Sequence, residues 1–261
     1  MIIMLDKIVE KTKERIEESK KVKSLDELKG EVKKLEIYQD FPFKQALSSE
    51  DISIIAEVKR ASPSKGLIAE DFDYVAIAKE YEDAGVSAIS VLTEPYFFKG
   101  SNDYLKEISK NVNVPLLRKD FVVDEYMIWE AKLLGASAVL LIVSILSIVE
   151  LKKYLDLAHD LGLSAIVETH DGDEIRTALN VGAEIIGVNN RDLTDFSVDI
   201  ENSISLRRCV SGDVIFISES GIKTPQDVKK LKENDVDAVL IGETLMKSED
   251  KKSMVLELKN G

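Results

Sequence analysis

From residue 52 onward, short apolar runs alternate with charged segments along the chain. Each run is nearly continuously apolar, which is typical of parallel strands covered on both faces. The intervening segments carry helix-start signals such as Ser147 with Glu150. Several of the runs come directly after a glycine that ends the preceding helix, and the first example of this motif is at 85–89. The runs are 52–59, 86–92, 114–119, 138–143, 164–168, 185–189, 214–219 and 238–241. Eight strand–helix repeats predict an α/β fold, the (β/α)8 TIM barrel. An open doubly wound sheet is the alternative, but G-x-G-x-x-G follows none of the runs.

The beginning of the chain has a different pattern. Ile8 and Ile16 belong to an apolar stripe at helical spacing, and Ser24 with Glu27 forms a capping box before a second helix. Charges of both signs are mixed here, which favours a solvated helix face over a binding tail. We therefore expect a single domain, 1–261, in which residues 1–48 form a helical N-terminal extension on the barrel.

Charged residues end four of the otherwise apolar runs. These residues are Glu57 and Lys59, Lys119, Glu168, and Glu219. In a (β/α)8 barrel the active site lies at the C-terminal ends of the strands, so these side chains are predicted to converge. Glu57 and Lys59 are two positions apart and therefore point the same way, into the barrel. The pattern indicates acid–base chemistry rather than isolated surface charges.

A second set of residues at the same end of the barrel predicts a phosphate site. Ser220 and Gly221 follow the seventh run and Gly242 follows the eighth, where this fold commonly binds phosphate on backbone N–H groups. Glu243 fits such a site if its backbone N–H faces the anion while its side chain turns away. The basic, turn-rich loop that contains Ser62 follows the first run and is expected to cover the ligand.

Composition narrows the function. The net charge is −13, which argues against binding of nucleic acid but leaves room for a small anionic ligand in a locally positive pocket. The chain has one cysteine, Cys209, and two histidines. We therefore expect no metal centre built from cysteine or histidine ligands. The longest apolar stretch, 136–149, is too short to span a bilayer, and we expect neither a signal peptide nor a membrane segment. The expectation is a cytoplasmic enzyme.

Several segments together carry a resemblance to a known family. The most specific is IIAEVKRASPSKG at 54–66, followed by LRKDF at 117–121, GVNNRDL at 187–193 and ESGI at 219–222. At these residues the chain resembles indole-3-glycerol phosphate synthase of tryptophan biosynthesis. The resemblance implies ring closure, decarboxylation and dehydration of 1-(2-carboxyphenylamino)-1-deoxyribulose 5-phosphate. The implied products are indole-3-glycerol phosphate, carbon dioxide and water, with no metal or organic cofactor.

The resemblance also implies roles for individual residues. Lys119 would be the general acid, and Lys59 would hold anionic groups of the substrate and share in proton transfer. Glu168 or Glu57 would remove the final proton, with Glu168 the stronger candidate. The polar residues expected to orient the substrate are Asn189, Arg191, Glu219 and Ser220. The residues expected to form the pocket for the anthranilate ring are Phe98, Phe121, Leu140 and Leu193.

Three other functions fit part of the pattern. A phosphoribosylanthranilate isomerase has the same fold but would use a cysteine at a strand end, whereas Cys209 precedes the seventh run. A Schiff-base aldolase would use one of the two interior lysines. A non-catalytic sugar-phosphate binder would not need the set of acids and bases. Partners beyond a phosphorylated small molecule are not indicated.

Overall fold

The computed structural model describes residues 4–192 and 196–260. Within that part of the chain, eight parallel strands close into a barrel in which each strand pairs with the next and β8 pairs with β1. The strands are β1 (Ser53–Val58), β2 (Ala88–Leu92), β3 (Leu116–Lys119), β4 (Ala138–Ile142), β5 (Ser164–Thr169), β6 (Ile185–Asn189), β7 (Ile215–Glu219) and β8 (Ala238–Ile241). The predicted (β/α)8 barrel is confirmed: seven of the apolar runs contain their strands, and β5 extends one residue beyond its run, to Thr169.

Helices connect the strands, and further helices precede and follow the barrel. They are α1 (Met4–Val22), α2 (Leu25–Val32), α3 (Pro42–Leu47), α4 (Tyr74–Asp83), α5 (Asn102–Ile108), α6 (Glu125–Leu133), α7 (Ile148–Asp160), α8 (Gly172–Asn180), α9 (Glu201–Arg207), α10 (Pro225–Lys232), α11 (Glu243–Lys247) and α12 (Lys251–Lys259). The predicted capping boxes at Ser24 and Ser147 are present, each with reciprocal hydrogen bonds to a glutamate. None of the helices in the described residues is long and apolar enough to cross a membrane.

Side chains along each strand alternate between an outer apolar layer, packed against the helices, and an inner apolar layer. This alternation directs the charged side chains near the strand ends into the barrel. Ile54 packs outward against the helices, whereas Ile55 belongs to the apolar layer inside the barrel. Because side chains two apart share a face, Glu57 follows Ile55 into the interior. The same spacing holds in three further strands, where the inner Leu117, Ile166 and Ile217 precede Lys119, Glu168 and Glu219.

The N-terminal helices pack against both ends of the barrel. Phe43 and Leu47 of α3 are fully buried in the inner apolar layer, together with residues at the beginnings of the strands such as Ala138. At the other end, α1 reaches the residue after β3, because Arg15 donates to both carboxylate oxygens of Asp120 at 2.9 Å. The predicted helical extension therefore frames the end where the charged side chains converge.

Candidate active site

A cavity of about 650 Å³ opens at the C-terminal ends of the strands. It is lined by every residue predicted for the site within the described chain; Leu193 lies outside the described residues. The predicted residues that line it are Glu57, Lys59, Ser62, Phe98, Lys119, Phe121, Leu140, Glu168, Asn189, Arg191, Glu219, Ser220, Gly221, Gly242 and Glu243. Residues that are far apart in sequence thus meet in one cavity, as strand-end positions of this fold do.

Lys119 is the central charge of the cavity. Its Nζ lies 3.3 Å from Glu168 Oε2 and 3.4 Å from Glu219 Oε2, and its side chain is 16% exposed. Burial alone would lower the pKa of Lys119, but the negative charges of Glu168, Glu219 and Glu57 outweigh it and raise the pKa. The lysine is therefore a cation at neutral pH, held where it faces the cavity.

The two carboxylates beside Lys119 differ in protonation. Burial opposes ionisation of Glu168, but Lys119 and then His170 and Asn189 stabilise its charge, so its pKa is lowered. Burial raises the pKa of Glu219 to about 7, and repulsion from Glu168 and Glu57 adds to the effect against the attraction of Lys119. Neighbouring groups whose pKa values are pushed apart are typical of acid–base sites. Glu168 is a carboxylate at neutral pH, whereas Glu219 titrates there.

Glu57 and Lys59 form a second charged pair in the cavity, at the C-terminal end of β1. The Nζ of Lys59 lies 2.6 Å from Glu57 Oε1, and both side chains are largely buried. Gly242 lies against this pair: a Cβ at this position would collide with the Glu57 carboxylate and lie 2.8 Å from the Lys59 Nζ. The ammonium of Lys59 thus borders the loop after β8, beside the predicted phosphate site.

A hydrogen-bonded chain of polar side chains continues from Glu168. Asn189 Nδ2 donates to Glu168 Oε1 at 3.2 Å, and Ser220 Oγ donates to Asn189 Oδ1 at 2.9 Å. The backbone N–H of Arg191 donates to the same Asn189 oxygen at 3.1 Å. Ser220 has a φ of +69°, a conformation that is uncommon for residues other than glycine, and Gly221 follows with a φ of +88°. This left-handed turn directs the Ser220 hydroxyl back toward the site.

The predicted phosphate corner combines lysines with the loops after β7 and β8. The carboxylate of Glu243 pairs with Lys247 at 2.7 Å and with Lys65 at 3.7 Å. Lys65 belongs to the loop that Ser62 begins, so this pair ties the loop to the end of β8. These two lysines compensate the negative charge of Glu243, so its carboxylate does not prevent an anion from binding nearby.

An apolar wall faces the charged groups. The rings of Phe98 and Phe121 lie 5.9 Å apart between centroids, and Leu140 is buried beside the cavity. Glu94, which has no exposed surface, accepts the backbone N–H groups of Tyr96, Phe97 and Phe98 at 2.7–3.0 Å. The sequence places Glu94 only at a strand end, so its function as an anchor for the loop that carries Phe98 was missed.

Asp120 is a second residue whose contribution was missed. Besides Arg15, its carboxylate accepts the Thr93 hydroxyl at 2.6 Å and lies 3.6 Å from Arg118. Burial opposes its ionisation, but Arg15 and Arg118 outweigh this and lower the pKa of Asp120. Its position directly after Lys119 means that this buried network fixes the backbone from which Lys119 projects.

The arrangement has the features of a class, the (β/α)8-barrel enzymes, with acidic and basic groups gathered at the carboxyl ends of the strands. In residues 4–192 and 196–260 there is no cluster of three or more histidine, cysteine, aspartate or glutamate side chains suited to hold a metal ion.

Comparison with known proteins identifies the family. The family model of indole-3-glycerol phosphate synthase matches residues 5–258, and the chain belongs to this family. The indole-3-glycerol phosphate synthase of Endomicrobium trichonymphae is 54% identical, covering 99% of this chain and 100% of the relative. That of Lachnoclostridium phytofermentans is 51% identical, covering 99% of each. The predicted family is confirmed.

Solved structures support the fold alone. 3-Hexulose-6-phosphate synthase from Salmonella typhimurium superposes with a TM-score of 0.64 at 16% identity, covering 80% of this chain and 97% of that one. A mandelate oxidase superposes with a TM-score of 0.63 at 19% identity, covering 80% of this chain and 75% of the other. The barrel architecture is shared with enzymes of unrelated sequence.

Proposed function

We propose that the cavity binds 1-(2-carboxyphenylamino)-1-deoxyribulose 5-phosphate and converts it to indole-3-glycerol phosphate, carbon dioxide and water. Membership of the family supports the reaction. The observation that carries the assignment of residues is the contact of Lys119 Nζ with Glu168 Oε2 in the same cavity, 3.3 Å apart. One group can give a proton and the other can accept one without a cofactor.

Lys119 is the general acid of ring closure. The aromatic ring attacks the ketone carbon of the substrate, and the carbonyl oxygen that gains electrons needs a proton in the transition state. Lys119 is charged, lines the cavity and keeps 16% of its side chain exposed, so substrate oxygen can approach its Nζ. Donation to that oxygen produces the hydroxyl that later leaves as water.

Glu168 is the base of the dehydration step. After ring closure and loss of carbon dioxide, the hydroxyl departs and a proton must leave the ring to form the aromatic indole. Glu168 is ionised and is oriented by Asn189, which supports this assignment. Glu57 and Lys59 form the second acid–base pair, and Lys59 returns a proton to the leaving hydroxyl or holds the substrate's anionic groups.

The remaining lining residues hold the two ends of the substrate. The phosphate binds between the turn at Ser220–Gly221 and the loop at Gly242–Glu243, with Lys59 alongside. The anthranilate ring packs against Phe98, Phe121 and Leu140, and the polar groups of Asn189, Arg191 and Glu219 orient its substituents. Leu193 is retained as a ring contact on the sequence resemblance.

The state of Lys119 also bears on the Schiff-base alternative. An amine must be unprotonated to attack a carbonyl carbon, and enzymes lower a lysine pKa for that purpose. Here three carboxylates raise the pKa of Lys119 instead, which keeps the amine protonated and opposes nucleophilic attack. The acidic composition, with a single cysteine, supports a cytoplasmic enzyme that binds no nucleic acid, and both statements remain predictions.

The test is a pair of substitutions at Lys119 assayed by the fluorescence of the indole product. Lys119→Met removes the acid, and we expect kcat to fall by about 10²–10⁴, the usual contribution of general acid–base catalysis. Lys119→Arg keeps the charge but gives up its proton far less readily, and we expect a similar loss of kcat with better retained substrate binding. Lys13→Met, on the exposed side of α1, is the control and should behave as wild type. Wild-type kcat in Lys119→Met would exclude the assignment.

A further inference from the structure

His170 lies directly behind Glu168, outside the cavity. It is the residue after β5 and does not line the cavity, whereas Glu168, two positions earlier, does. The two side chains approach each other: His170 Nε2 is 3.7 Å from Glu168 Oε1. The proposed reaction uses Glu168 but gives no function to this histidine.

Glu174, in the first turn of α8, fixes the imidazole. One oxygen of Glu174 accepts the backbone N–H of His170 at 2.8 Å and lies 3.1 Å from its Nδ1. A carboxylate oxygen only accepts, so Nδ1 carries the hydrogen of this bond. Asp171 caps α8 with its own side chain, which leaves Glu174 free to turn back to the histidine.

The other nitrogen of the ring indicates a protonated imidazole. Nε2 is buried and has no hydrogen-bond partner among the described residues, and the nearest charged atom is the Glu168 oxygen. If the ring were neutral, the lone pair of Nε2 would face a carboxylate. If the ring is an imidazolium, Nδ1–H bonds to Glu174 and Nε2–H lies 3.7 Å from the Glu168 oxygen, so both carboxylates stabilise its charge.

The charges around the pair favour the cation. Glu168 on β5, Glu174 on α8 and Glu219 on β7 all act on His170, and Asn202 of α9 contributes only an uncharged donor to its backbone carbonyl. Burial lowers the pKa of His170, but the hydrogen bond to Glu174 and the charges of the three carboxylates outweigh it, so the pKa is raised. On the other side, Lys119 of β3 faces Glu168 Oε2.

We propose that His170, held by Glu174, is a positioning residue that acts through Glu168: its imidazolium places a second cation against this carboxylate and keeps it ionised and oriented toward the cavity. This rests on the proposed function of Glu168 as the base. The benefit arises when Lys119 gives its proton to the substrate. At that moment Glu168 would lose the positive charge of Lys119, and His170 keeps the carboxylate from competing with the substrate for the proton.

The first test is a titration of the imidazoles by NMR. The chain has only two histidines, His159 and His170, so His159→Asn assigns both signals. We expect the pKa of His170 to be raised above its ordinary value of 6.5, and to fall in Glu168→Gln and in Glu174→Gln. The signal of His159 should be unchanged in both. An unchanged titration of His170 in Glu168→Gln would overturn the proposal.

The second test is kinetic. His170→Asn can keep a donor at the position of Nδ1 but removes the group that faces Glu168, and we expect kcat to fall about tenfold with KM within about twofold. His170→Gln can place an N–H near the position of Nε2 and should recover part of the loss. His159→Asn is the matched control with wild-type kinetics. A wild-type kcat in His170→Asn would contradict the proposal.

The two tests separate this inference from the proposed function. If Glu168→Gln keeps the wild-type kcat, Glu168 is not the base, although the NMR coupling can still be present. If Glu168→Gln loses activity while His170→Asn keeps it, the base is right and the positioning role is wrong. Thermal unfolding of each variant checks that a loss of kcat does not arise from unfolding.

Discussion

Gly242 offers a direct test of how the end of β8 holds the site. Its φ is −114°, which any residue can adopt, so the need for glycine here is one of space and not of backbone conformation. A Cβ built on Gly242 would collide with Glu57 Oε1 and lie 2.8 Å from Lys59 Nζ. Gly242→Ala therefore has to displace the Glu57–Lys59 pair.

The size of the effect follows from that pair. Its atoms are 2.6 Å apart, and the side chains of Glu57 and Lys59 are only 5% and 17% exposed, so neither can move into water without separating the charges. Inserting a methyl group into such a packed site costs about 1–3 kcal/mol. If this free-energy cost destabilises the transition-state complex and not the free enzyme, kcat/KM falls by about 5- to 150-fold. We expect most of it as a raised KM, because the pair borders the proposed phosphate site.

The assay measures kcat, KM and inhibition by inorganic phosphate for the wild type and Gly242→Ala. Phosphate should compete with the substrate in the wild type and compete much more weakly in the variant. Gly212→Ala is the matched control, because a Cβ there has open space. Wild-type kcat/KM together with unchanged phosphate inhibition in Gly242→Ala would refute the reasoning.

Two further predictions concern buried carboxylates. Because burial raises the pKa of Glu219 from 4.5 to about 7, the folded state binds more protons than the unfolded chain in this range, and its stability falls as pH rises through it. The free energy of unfolding of Glu219→Gln, relative to wild type, should therefore rise between about pH 5 and pH 8 in urea titrations; a constant difference would contradict this. Arg15→Met removes one cation from Asp120 and should cost about 1–3 kcal/mol at neutral pH, less than a fully broken buried pair because Arg118 and Thr93 remain. Since the pKa of Asp120 is lowered, this difference should shrink as pH falls below 3.8, whereas the exposed Arg176→Met should show little change at either pH.

The location of the site could be predicted from the sequence because it follows from local rules. Parallel strands read as apolar runs, side chains alternate, and the strand ends of a barrel share one face. Glu57, Lys119 and Glu168 could be assigned to one cavity on those rules alone. Their functions came from the family resemblance and from the chemistry that a ketone and a leaving hydroxyl require.

The residues that hold the site in place without lining its acid–base centre could not be predicted in the same way. Arg15 and Asp120 are 105 positions apart, and no spacing rule pairs a residue of an N-terminal helix with a particular strand end. Glu94 looks like any charged residue after a strand until the loop is seen to fold back over its carboxylate. These contacts depend on where helices and loops settle on the barrel, which is decided by packing across the whole chain.

Protonation is the property that most needs the three-dimensional arrangement. Glu168 and Glu219 are the same residue type, each lies at the C-terminal end of a strand, and both lie within 3.4 Å of the same lysine nitrogen. They differ in what else surrounds them: Glu168 has His170 and the Asn189 amide, whereas Glu219 Oε1 has no hydrogen-bond partner in the described part of the chain. The pKa of Glu168 is therefore lowered and that of Glu219 is raised, although each is buried. Such a pair can accept a proton at Glu168 while Glu219 already holds one. The neighbours other than Lys119 determine this difference between the two carboxyls.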